Sequence, residues 1–88
     1  MGTHLPTLFR HKGFRYFFFS NEGREPIHIH IQKDDKYAKF WIEPIALAYN
    51  YKFNIKELNQ IQKIVEHKML LIKEKWNEYF TGPGIKGN

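Results

Sequence analysis

At 88 residues the chain has the length of one domain, and its formal charge of +5, from 14 Lys and Arg against 9 Asp and Glu, suits polyanions or an acidic protein partner. Aromatic residues make up 17% of it, which gives a short chain area to bury, and the absence of cysteine excludes disulfides and thiolate metal sites. No secretory leader stands out and no apolar run nears the ~20 residues of a membrane span, so the expectation is a cytoplasmic protein without membrane contact.

Taken in order, residues 1–6 read as a loose lead-in to a single domain over 1–88. A β-rich part follows over residues 7–49. Thr7–His11 suits a first strand, Gly13 marks a turn, and Phe14–Ser20 makes an aromatic second strand. The stretch from Asn21 to Pro26 is loop by its Asn, Gly and Pro content. Ile27–Lys33 is the next strand, Asp34-Asp35 a tight turn, and Tyr37–Ile42 the antiparallel return, which Pro44 ends. Ile45–Tyr49 fits either a short further strand or an irregular connection.

Residues 54–80 are helical. Asn54 is an N-cap with Glu57 three residues on, a capping box, and Phe53 stands where it can staple onto Leu58. Apolar residues then recur at Leu58, Ile61, Val65, Met69, Ile72, Trp76 and Tyr79, a stripe at helical spacing. One unbroken helix would be ~39 Å long, so a break near Glu66–Lys68 is expected. Thr81-Gly82-Pro83-Gly84 is turn chemistry, and residues 81–88 read as a flexible tail. The fold class is therefore α+β: a three- to four-stranded antiparallel sheet with one or two C-terminal helices packed on one face.

Strand parity divides the sheet. Ile27, Ile29 and Ile31 share one side with Ala38, Phe40 and Ile42, and belong under the helices. His28, His30 and Gln32 share the other with Tyr37, Lys39 and Trp41, while Phe14–Ser20 has no plainly polar side. An antiparallel sheet can leave that second side open to water as a binding surface. Alternatively, Trp41, Phe18 and the two histidines fill a small second core.

Two imidazoles at i and i+2 lie ~6.5–7 Å apart along a strand, a spacing that suits several chemistries. His28 and His30 can serve as general base and general acid, with Lys39 or Arg15 stabilising charge on a phosphorane-like transition state. Such a site cleaves RNA through the substrate's own 2′-hydroxyl and needs no cofactor. A metal reading requires a third ligand from Glu22, Glu25, Glu43 or His11, and with no His-Glu-x-x-His motif no metal is assigned. The structural alternative makes both histidines ordinary hydrogen-bonded strand residues or partner contacts. The five residues from His28 to Gln32 also resemble part of the histidine-triad signature.

Several landmarks in order carry a wider likeness: Gly13-Phe14-Arg15-Tyr16-Phe17-Phe18-Phe19-Ser20-Asn21-Glu22, Pro26-Ile27-His28-Ile29-His30-Ile31, Ala38-Lys39-Phe40-Trp41-Ile42-Glu43-Pro44, the Glu57–Val65 helix, and Trp76-Asn77-Glu78-Tyr79-Phe80. Through these, Thr7–Phe80 resembles the small bacterial family called domain of unknown function 4160, whose members more usually lack the Ile27 between proline and histidine. The resemblance implies one half of a two-protein module, encoded beside a domain of unknown function numbered 2442 as in a toxin–antitoxin pair, with this chain on the toxin side. The positions matched are His28, His30, Lys39, Trp41 and Glu43.

The leading expectation is thus a toxin component acting on RNA or another nucleic acid, with a cognate antitoxin-like protein as partner. His28, His30 and Lys39 would be catalytic; Arg15, Tyr37, Lys39 and Trp41 would bind nucleic acid. The alternative is a non-enzymatic regulatory module that binds a protein or DNA through the same face, with homodimerisation also compatible.

Overall fold

Antiparallel pairing of each strand with the next lays the first half of the chain out as a meander. The computed structural model describes residues 7–19 and 23–81. Its strands are β1 (Thr7–His11), β2 (Phe14–Phe17), β3 (His28–Lys33), β4 (Lys36–Ile42) and β5 (Ile45–Tyr51), followed by helices α1 (Ile55–His67) and α2 (Met69–Thr81). Each strand pairs antiparallel with the next, giving the order β1-β2-β3-β4-β5. Lys12 and Gly13, between the paired His11 and Phe14, both have positive φ (51° and 86°), as a two-residue type I′ hairpin requires. The expected lead-in over residues 1–6 lies outside the described residues, as does the tail beyond Thr81.

The α+β architecture is as expected, but the sheet has five strands rather than three or four. The additional strand is β5. It follows β4 from Ile42↔Ile45 to Tyr37↔Tyr51, so its backbone groups are taken up by a neighbour in spite of the interruption at Pro44. A register shift where Lys39 meets Tyr49 and Phe40 meets Leu47 leaves Ala48 as an extra residue on this strand.

The helix-side core follows the parity of β3 and β4. Ile29, Ile31, Ala38, Phe40 and Ile42 are buried with Tyr16 and Phe18, and Ile61, Val65, Ile72 and Trp76 come down on them from the helices. Phe53 stacks on Phe14 with ring centroids 5.6 Å apart. At the start of α1 the capping box is complete: the Glu57 amide donates to Asn54 Oδ1 (2.8 Å) and the Asn54 amide to Glu57 Oε1 (3.0 Å). The other carboxylate oxygen of Glu57 accepts from Lys36 Nζ at 2.8 Å and ties the helix to the start of β4.

The helical region does break, at Lys68 (φ −101°). Lys68 N–H donates to Ile64 and its carbonyl accepts from Ile72 N–H, both at 2.9 Å, so the joint bends without orphaning backbone groups. The apolar stripe runs on through the joint, with Ile61 and Val65 of α1 and Ile72 and Trp76 of α2 all in the core, and an ion pair between Lys73 and Glu43 holds α2 to the β4–β5 turn. Among the described residues, no helix is long and apolar enough to cross a membrane.

The two sheet edges differ. β1 has five residues, carries Arg10 and His11, and shifts register between Thr7 and Phe9. β5 has seven residues and no charged side chain. Its Leu47, Tyr49 and Tyr51 are 44%, 52% and 47% exposed.

Candidate functional site

Register places the expected site residues in successive rows on the sheet face opposite Ile29 and Ile31. Arg15 pairs with Gln32, Gln32 with Tyr37, and Tyr37 with Tyr51. The next row runs Phe17, His30, Lys39, Tyr49, and beyond it His28 stands opposite Trp41. Partners directly opposite in a ladder share a face, so Arg15, Tyr37, Lys39 and Trp41 lie on one face over three successive rows, with Lys39 against Trp41. The side of the aromatic strand, undecided by its composition, is settled too. Tyr16 joins the helix-side core, while Arg15 and Phe17 face the other way.

The histidines do not lie open on this face; that expectation is corrected. His28 is 0% and His30 2% exposed. His28 Nδ1–H donates to the Pro26 carbonyl at 2.9 Å, and its ring sits 5.1 Å from Trp76 and 5.5 Å from Trp41. His30 Nδ1 is hydrogen-bonded to the Tyr37 hydroxyl at 2.5 Å. Its ring is packed among Phe17, Phe19 and Tyr37, with centroids 5.5, 4.4 and 5.7 Å away. The two imidazoles are themselves 5.0 Å apart, edge to face. What the expectation lacked was cover: an aromatic layer built from β2, β4 and α2 closes over both rings. Phe18, the other residue considered for a second core, belongs to the helix-side core.

Cations lie over the outside of that layer. The Arg15 guanidinium sits 4.2 Å from the Phe17 ring centroid and donates through Nε to Thr7 Oγ1 at 2.8 Å. Lys39 Nζ sits 4.5 Å from the Trp41 ring and donates to Glu25 Oε1 at 3.0 Å. Flat against aromatic faces, these side chains keep their charge outward while their stems cover apolar surface. The hydrogen bond from Lys39 holds the Glu25 carboxyl below its ordinary pKa. Glu25 Oε1 also lies 3.5 Å from His28 Nδ1, so one exposed carboxylate links the surface lysine to the buried imidazole.

Three residues of this surface escaped the sequence reading. Glu25 enters the sequence reading only as a metal ligand, Tyr49 ends a segment of undecided structure, and Tyr51 lies beyond that segment. The alternation Tyr49-Asn50-Tyr51, with two rings at i and i+2, is the signal that marks them once the segment is read as a strand. Of the metal-ligand candidates, Glu22 lies outside the described residues. Among the described residues, no group of three His, Asp or Glu side chains converges. Glu43, matched by family likeness, pairs with Lys73 on α2 and lies apart from the Arg15–Tyr37 rows.

The model of the family described as domain of unknown function (DUF4160) matches residues 13–77, and the chain belongs to that family. No curated protein and no solved structure matches it.

Proposed function

For this DUF4160 chain, we propose nucleic-acid binding through the open sheet face, as the toxin-like half of a two-protein module of toxin–antitoxin type. The carrying observation is that Arg15, Tyr37, Lys39 and Trp41 share one face over three successive register rows, with both cations laid on aromatic rings. Such a surface offers phosphate contacts beside stacking faces, and the net charge of +5 supplies long-range attraction for a polyanion. In this reading His28 and His30 shape the platform from beneath. A fluorescent RNA titrated against wild type, Arg15→Ala, Lys39→Ala and Trp41→Ala tests it. Each lost phosphate contact should lower the slope of log K against log salt by ~0.7 on single strands, and Trp41→Ala should weaken binding by ~1–3 kcal/mol. A salt-independent affinity, or variants that bind like wild type, would remove the proposal.

A second reading keeps the histidines catalytic, and one observation favours it. Their rings lie 5.0 Å apart and His30 is hydrogen-bonded to the hydroxyl of the half-buried Tyr37, a short path for a proton toward the surface. It requires the cover of Phe17, Phe19 and Trp41 to open when RNA binds. RNA cleavage that disappears in folded His28→Ala and His30→Ala variants would support it. Unaltered cleavage in the double variant would end it.

A further inference from the structure

Beyond the four expected residues, the same face continues onto the edge strand, and we infer that Tyr49 and Tyr51 extend it into a stacking platform for unpaired nucleobases, which makes single-stranded nucleic acid the ligand class. This inference rests on the binding role proposed above.

Both tyrosines are about half exposed, and both are register partners of residues already on the face, Lys39 for Tyr49 and Tyr37 for Tyr51. The Tyr37 and Tyr49 ring centroids are 5.8 Å apart, so the rings form a continuous surface across β4 and β5. Along β5, residues i and i+2 are about 6.6–6.8 Å apart, wide enough for successive bases of an extended strand to meet successive rings. Lys52 Nζ lies 5.3 Å from the Tyr51 ring, and Lys39, the register partner of Tyr49, has its Nζ 4.5 Å from the Trp41 ring, so two cations accompany the aromatic run. An ammonium beside an exposed ring is the pairing that a phosphate next to its own base requires.

Duplex nucleic acid is a poorer match. Its bases are stacked on one another and present only edges and backbone, so exposed ring faces gain nothing from it. A protein strand docking on the β5 edge would also cover these tyrosines. The flanking lysines and the net positive charge favour the polyanion.

The test compares a short labelled oligouridylate with an RNA duplex of equal length. Wild type should prefer the oligouridylate, and Tyr49→Ala and Tyr51→Ala should each weaken it about tenfold while barely changing duplex binding. Tyr49→Phe and Tyr51→Phe keep the rings and should retain the affinity. Asp35→Asn, which frees Lys52 from its 2.9 Å carboxylate contact, should strengthen it. Thermal melts like that of wild type would show that these half-exposed substitutions leave the fold intact.

Equal affinity for duplex and single strand, or alanine variants that bind the oligouridylate like wild type, would overturn the inference. If Arg15→Ala and Lys39→Ala still weaken binding in that case, the broader role survives. No binding of either RNA by wild type would remove both. Sedimentation showing a dimer that the alanine variants dissociate, with oligouridylate affinity unchanged, would assign the tyrosines to self-association and overturn the inference as well.

Discussion

Tyr37→Phe isolates one hydroxyl group whose role separates a buried imidazole from an accessible one. The phenylalanine ring keeps the stack on His30, where the centroids are 5.7 Å apart and the planes 21° from parallel, so little packing is lost. What disappears is the 2.5 Å hydrogen bond to His30 Nδ1. Because His30 is only 2% exposed, water cannot readily replace that partner. The cost is then that of a buried polar atom losing a bond, ~1–3 kcal/mol, a substantial share of the ~5–15 kcal/mol that stabilises a typical domain. For a domain of this size each kcal/mol lowers Tm by roughly 4–8 °C, so a loss of 2 kcal/mol appears as a drop of roughly 8–16 °C. Urea unfolding followed by circular dichroism measures it directly, since a change in midpoint at constant slope reports stability. Adding His30→Leu to Tyr37→Phe removes the imidazole left behind and should recover part of the loss. A Tyr37→Phe variant within ~0.5 kcal/mol of wild type would mean that water reaches His30, contradicting its place in the interior and strengthening the catalytic reading.

Three further outcomes follow from the same contacts. Asn54→Ala removes the side-chain acceptor of the capping box and should cost ~1 kcal/mol in urea unfolding, whereas Asn54→Asp should be nearly neutral. Trp76→Ala, which takes a ring away from both Phe18 and His28, should cost ~3–5 kcal/mol and leave the chain largely unfolded at 37 °C by circular dichroism. Stability should also fall in acid. The hydrogen bond from Lys36 lowers the Glu57 pKa from its ordinary 4.5, and a carboxyl depressed in the folded state stabilises the protein above that value. That contribution is lost as pH falls from 4.5 through the depressed value. A Lys36→Met variant should show a smaller decline over this window in pH-dependent melts, and an identical decline would assign it to other groups.

Local rules reached much of this fold. Alternation alone placed Ile29 and Ile31 under the helices and His28 and His30 on the other side, because period-two geometry leaves no freedom once a strand is assigned. The capping box at Asn54 is equally local, with donor and acceptor three residues apart. β5 was less legible because Ala46, Ala48 and Asn50 have weak strand preference, and its pairing with β4 decides the matter. The bend at Lys68 has no Gly or Pro to announce it. It was anticipated from the length of the stripe against the size of the domain. The burial of the histidines was beyond reach for a different reason. Parity says which side a residue occupies, while cover depends on residues far along the chain, here Phe17, Tyr37 and Trp76. Parity therefore puts Lys39 and Trp41 on the face of the histidines from the sequence alone, whereas nothing local marks the depth of the imidazoles beneath them.

The unequal edges of the sheet also differ in what they offer to a further strand. An added strand needs a long edge without charge, which β5 provides, whereas the Arg10, His11 and register shift of β1 discourage an approaching backbone. Two copies joined β5 to β5 would use up both receptive edges and turn only β1 edges outward. Such a pair would leave no receptive edge among the described strands for the head-to-tail contact that a fibre needs.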